Sequence, residues 1–72
     1  MNEHRFYYLK LIRFDDEEYF ITDDYDFMIS PERLKIFDDL DDAIEYKQEF
    51  ISVVKKRLNL ILSGFDVKIV NM

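Results

Sequence analysis

Residues 39–64 read DLDDAIEYKQEFISVVKKRLNLILSG. This stretch decides the fold class, because it carries the marks of one long helix from start to stop. Asp39 is a good N-cap: its short carboxylate accepts a backbone N–H that the first turn leaves without a partner. Asp42, three residues on, is a weaker version of the capping-box acid. Asp41, Asp42 and Glu45 load the first turns with negative charge. Lys55, Lys56 and Arg57 load the other end with positive charge, and both biases complement the helix dipole. Leu40, Ala43, Ile44, Phe50, Ile51, Val54, Leu58 and Ile61 recur at helical spacing. Lys47 falls on the same stripe, where its stem lies along apolar neighbours. Tyr46 and Val53 lie off the main stripe, placed to widen the core contact or to reach a partner. Gly64, the only glycine, stands where a C′ glycine would end a helix. The spacing predicts a helix over about 40–62, roughly 33 Å long at ~1.5 Å per residue.

Upstream the apolar period shortens toward two. Residues 5–14 (RFYYLKLIRF) are aromatic and branched and read as a strand. Asp15, Asp16, Glu17 and Glu18 look like a hairpin connection, and residues 19–22 like the returning strand. Residues 23–33 are irregular, and Pro31 argues against a helix there. Residues 34–37 fit a short third strand. Downstream, residues 65–70 alternate and read as a final strand. The fold class is α+β: a three- to four-stranded, mostly antiparallel sheet (β-β-β-α-β) packed on one long α-helix. Residues 1–72 form a single small domain without repeats or linkers. The simplest arrangement sets the last strand beside the first and parallel to it, in the order 3-2-1-4, with a right-handed crossover.

Strand side chains alternate between faces. Tyr7, Leu9 and Leu11 form one set of the first strand. Phe6, Tyr8, Ile12 and Phe14 form the other, broken only by Lys10. One helix covers one face, and the charge-free Tyr7/Leu9/Leu11 set is the one expected beneath it. The second face then needs a cover: either residues 23–33 folded back through Phe27, Met28 and Ile29, or an interface.

The chain has 72 residues, 16 acids against 10 bases and a net charge of −6. It has no cysteine, one histidine and one proline, and 49% of it is hydrophobic. Disulfide scaffolds and thiolate zinc sites are thereby excluded. The apolar content argues against disorder, and the acidic balance against direct nucleic-acid binding. A domain of this size buries only about 60% of its unfolded surface, which favours a homodimer or higher homo-oligomer, or a partner. No secretory signal and no apolar run of membrane-spanning length is visible, so a cytoplasmic protein without membrane contact is expected.

The charge is unevenly placed. Residues 14–49 hold 14 acids and 3 bases, whereas residues 1–13 and 50–72 are net positive. With the third strand parallel to the first, which ends at the hairpin tip, that tip (Asp15, Asp16, Glu17, Glu18) and the helix start (Asp38, Asp39, Asp41, Asp42, Glu45) fall at one end of the sheet. Such an end attracts a basic partner.

Catalytic and metal signatures are weak. Asp24 and Asp26 have the first spacing of a calcium loop, but Met28 follows and no glycine is near. His4 lacks an orienting partner, and Ser30, Ser52 and Ser63 lie in no nucleophile-elbow setting. A single glycine excludes a glycine-rich phosphate loop. On a helix the basic run Lys55-Lys56-Arg57 wraps around the axis and reads as a solvated late turn. The adjacent Tyr7 and Tyr8 suggest base stacking, but the acidic balance opposes it.

The sequence therefore reads as a non-enzymatic protein-binding module with no cofactor and no metal. Its most concrete form is a phage-type or regulatory inhibitor that occludes a basic surface of a nucleic-acid-handling protein by charge mimicry. The acids just named set orientation and on-rate, and Phe6, Tyr8 and Phe14 are the expected anchors. The alternative is an assembly module that homo-oligomerises through the aromatic sheet face. A small-ligand binder with a pocket at an oligomer interface is a third class.

Overall fold

A computed structural model describes residues 5–58 and 64–72. The chain runs β1 (Tyr7–Ile12), β2 (Glu18–Ile21), β3 (Phe27–Met28), a 3-10 turn (Pro31–Arg33), α1 (Leu40–Leu58) and β4 (Asp66–Asn71). The α+β class and the sheet order β3-β2-β1-β4 are those expected.

Two turns of one design build the β1–β2–β3 part of the sheet. Arg13 N–H donates to Glu17 O at 2.9 Å, and Asp16 N–H to Arg13 O at 2.9 Å. The three-residue loop 14–16 ends on Asp16 at φ 67°, the left-handed residue such loops need. The next loop repeats this: Thr22 N–H donates to Asp26 O at 2.9 Å, and Tyr25 takes φ 57°. Aspartate tolerates that region; a bulky tyrosine does not, and needs outside support.

β3 lies upstream of the expected third strand. Residues 34–37 make only isolated bridges, Thr22↔Leu34 and Tyr7↔Phe37. They carry the chain to the start of β1. There Asp39 caps α1, its Oδ1 accepting from Asp41 N–H at 3.0 Å. The helix runs toward the far end of β1, so β4 begins beside Ile12 and returns. β4 is therefore antiparallel to β1, from Ile12↔Asp66 to Tyr7↔Asn71, which corrects the parallel pairing.

The helix covers the Tyr7/Leu9/Leu11 face as expected. Leu9, Leu11, Ile21, Ala43, Phe50, Val54 and Val67 are buried, with Phe37 and Tyr46 nearly so. The core stripe of α1 is thus Ala43, Tyr46, Phe50 and Val54. Tyr46 belongs to the core, while Leu40 and Ile44 are 42% and 38% exposed on a flank. Gly64 is not left-handed and makes no C′ cap. A Cβ there would stand 3.2 Å from Phe14 Cβ, so a close approach explains the glycine instead. The expected helical residues 59–62, including Ile61, lie outside the described residues, as do His4 and Ser63.

Candidate acidic interface

Residues 34–37 deliver the chain into α1 at the start of β1, and that redraws the charge map. The β1–β2 tip lies at the far end of the sheet from the start of α1, so the expected union of 15–18 with 38–45 does not occur. Three of the tip acids, Asp15, Glu17 and Glu18, are also engaged locally. Arg13 lies 3.7 Å from Asp15 and 3.6 Å from Glu17, and its Nη1 donates to Tyr19 Oη at 3.3 Å. Tyr19 Oη donates to Glu17 in turn. Lys10 Nζ donates to Glu18 Oε1 at 2.8 Å, which holds the Glu18 carboxyl below its ordinary range.

A different group joins the helix start. The Thr22–Asp26 turn lies at the same end of the sheet as Phe37 and Asp39, and Tyr46 ties it to α1. The Tyr46 hydroxyl donates to Thr22 O at 2.6 Å and accepts from Tyr25 N–H at 3.0 Å. The Tyr25 ring stacks on Tyr46 at 4.7 Å and 15°, and its hydroxyl donates to Glu49 Oε1 at 2.7 Å. These contacts hold Tyr25 in its left-handed conformation. They bring Asp23, Asp24 and Asp26 to the end that carries Asp38, Asp39, Asp41, Asp42, Glu45 and Glu49.

The tyrosines register this field. Burial raises the Tyr46 hydroxyl above its ordinary value, and the charges of Asp23, Asp24 and Glu49 add to the shift. Tyr25 is raised chiefly by its bond to Glu49. Arg33 answers one of the acids, lying 2.8 Å from Asp24. Lys35 lies over the rings of Phe37 (5.2 Å) and Tyr46 (5.4 Å), beside an open cleft of about 230 Å³ rimmed by Asp42, Glu45 and Glu49.

Asp23, Asp24, Asp26 and Glu49 were not among the expected contact residues, although their signal is in the sequence. Asp42, Glu45 and Glu49 stand at i, i+3 and i+7, one side of a helix. Thr22–Asp26 has the length of a hairpin loop.

The expected aromatic anchors do not form one patch. Tyr8 lies on the outer sheet face, 6.0 Å from the ring of Phe20, with Lys10 over that ring at 5.9 Å. Phe6 is 41% exposed just before β1. Phe14 sits in the tip loop, 73% exposed, with the Arg13 guanidinium over its ring. Residues 23–33 do not cover the outer face. Phe27 turns toward the helix, edge-on to Phe50, Met28 pairs beside Phe20, and Ile29 is exposed. Among the described residues no group of three or more His, Asp or Glu side chains is arranged to hold a metal ion. No described helix is long and apolar enough to cross a membrane. Set against known protein families, curated proteins and solved structures, the chain matches none of them.

Proposed function

We propose that this chain is a non-enzymatic cytoplasmic binding module whose acidic end occludes a basic surface of another protein, one that handles nucleic acid, such as a nuclease or defence protein. The observation that carries this reading is the Tyr46 tie. It fixes the 23–26 turn against the acidic start of α1 and so gathers carboxylates on a rigid support. Carboxylates held this way take the place of phosphates in a basic groove. They speed association and impose a salt dependence on it. Tyr8, Phe6 and the outer face supply a neighbouring apolar contact.

Affinity capture from host lysate at low and high salt, read by mass spectrometry, tests the proposal. The expected result is one basic nucleic-acid-binding protein, released by salt and displaced by added DNA or RNA. Capture indifferent to both salt and nucleic acid contradicts it. The second reading, assembly through the outer sheet face, is favoured by the lack of any described element over Tyr8, Phe20 and Met28. It predicts self-association abolished by Tyr8→Ser.

A further inference from the structure

Among the described residues the sheet has one long free edge. β4 is its outermost strand, and no described strand lies beyond it. Tyr7 exchanges both of its backbone bonds with Phe37, so its polar groups point away from β4. Alternation turns those of Phe6, Tyr8, Lys10 and Ile12 toward β4, and Met72 N–H donating to Phe6 O at 2.8 Å agrees. Asp66, Lys68 and Val70 accordingly face β1 with their backbone groups, and Val67, Ile69 and Asn71 turn theirs outward. Val67 N–H is covered by its own neighbour, donating to Asp66 Oδ1 at 2.9 Å. The strand contains neither proline nor glycine. An open edge of this kind is a template for another strand.

The helix shows a second feature on the same side. Tyr46 and Glu49 reach Tyr25, so that flank of α1 faces the β2–β3 turn. At ~100° per residue, Leu40, Ile44 and Ile51 fall on the opposite flank, above the β4 edge. Leu40 and Ile44 are the exposed members and Ile51 is half-buried.

We propose that β4 pairs antiparallel with β4 of a second copy of this chain, about a two-fold axis through Val67. The charge pattern selects the register. Centred on Val67, Asp66 stands opposite Lys68 of the second copy, and the pair recurs reciprocally on the outer face. Centred on Lys68, two lysines would meet; centred on Asp66, two aspartates. Centred on Ile69, neither charge meets its opposite. In the Val67 register the outward groups of the two Val67 residues bond each other, Phe65 stands opposite Ile69, and Asp66 exchanges its cap on Val67 for the facing lysine. This symmetry keeps both helices on one side of a continuous sheet. Each α1 lies over its own β1 and β4. With strands ~4.8 Å apart, the two helix axes run about 10 Å apart, a helix-packing distance, and the flanks that carry Leu40, Ile44 and Ile51, with Lys47 between the two isoleucines, face each other. The proposal goes beyond partner binding: the two acidic ends stay open at opposite extremes of the dimer.

Sedimentation across the micromolar range tests it on the full chain, with circular dichroism confirming the fold of each variant. The native chain is expected to dimerise. Lys68→Asp sets like charges opposite each other twice and should weaken dimerisation at least ~10-fold. Asp66→Lys does the same with the other sign and serves where Lys68→Asp fails to fold. The double exchange of Asp66→Lys with Lys68→Asp should restore dimerisation to within ~3-fold of native. A native chain that stays monomeric overturns the proposal, and so does a dimer indifferent to the exchanges. Neither result bears on capture of a basic partner, which is read separately.

Discussion

Tyr46→Phe removes one oxygen atom and leaves the core ring in place. That oxygen donates to Thr22 O at 2.6 Å and accepts from Tyr25 N–H at 3.0 Å. Thr22 is 2% exposed, so its carbonyl loses a partner where water does not readily replace it. A buried group left unsatisfied costs about 1–3 kcal/mol, and the half-buried Tyr25 amide adds up to about 1 kcal/mol. Together these span about 1–4 kcal/mol, with about 2–3 kcal/mol at the centre of that range. A domain of this size has only ~3–5 kcal/mol in total, so the loss is most of its stability. At ~4–8 °C per kcal/mol, the melting midpoint should fall by roughly 8–24 °C. Urea and thermal unfolding followed by circular dichroism measure it. Tyr25→Phe is the control: it removes only the exposed bond to Glu49 and should cost under about 1 kcal/mol. A loss below ~0.5 kcal/mol for Tyr46→Phe would refute the claim that this hydroxyl fastens the turn to the helix.

Other expectations follow from the same contacts. The folded state holds the Tyr46 and Tyr25 hydroxyls above the unfolded value of about 10. Stability should therefore be full below pH ~10 and fall as pH rises above it, and Tyr46→Phe should flatten that fall in alkaline melts. Asp39→Ala deletes the cap on Asp41 N–H and should cost about 1 kcal/mol by urea titration. Phe50→Ala empties a fully buried site beneath the sheet and should cost about 3–5 kcal/mol, enough to leave the chain unfolded by near-ultraviolet dichroism. Tyr8→Ser on the outer face should cost less than Phe50→Ala by at least ~2 kcal/mol, because Tyr8 is only half-buried.

The sequence made the helix and the sheet order legible because both rest on local pattern. Asp39, the acidic first turn and the apolar recurrence through Val54 need no tertiary information. The charge-free Tyr7/Leu9/Leu11 set was enough to choose the buried face. The direction of β4 was not legible. It depends on which end of the sheet the chain leaves, and that was decided by residues 34–37, which pattern alone made a strand. They are a connection that bridges Thr22 and Tyr7 singly and delivers the chain to the start of β1. That one difference moved the tip acids away from the helix start and put Asp23–Asp26 in their place. Tyr46 was ambiguous for a similar reason: its hydroxyl finds both of its partners in a turn more than twenty residues upstream. Gly64 has the sequence position of a helix cap, but its neighbour in space is Phe14, a contact the chain order does not reveal.

Partner capture by two amide variants tests the central claim most directly. One carries Asp23→Asn, Asp41→Asn, Asp42→Asn and Glu45→Gln at the acidic end. The other carries Asp15→Asn, Asp16→Asn, Glu17→Gln and Glu18→Gln at the tip. Both remove four charges, so net charge is matched and only position differs. The first should lose the partner at low salt, with a shallower salt dependence of what remains, and the second should retain it. Equal loss in both, or loss only in the tip variant, would contradict an acidic end built by Tyr46 and by the entry of residues 34–37 into α1 at the start of β1.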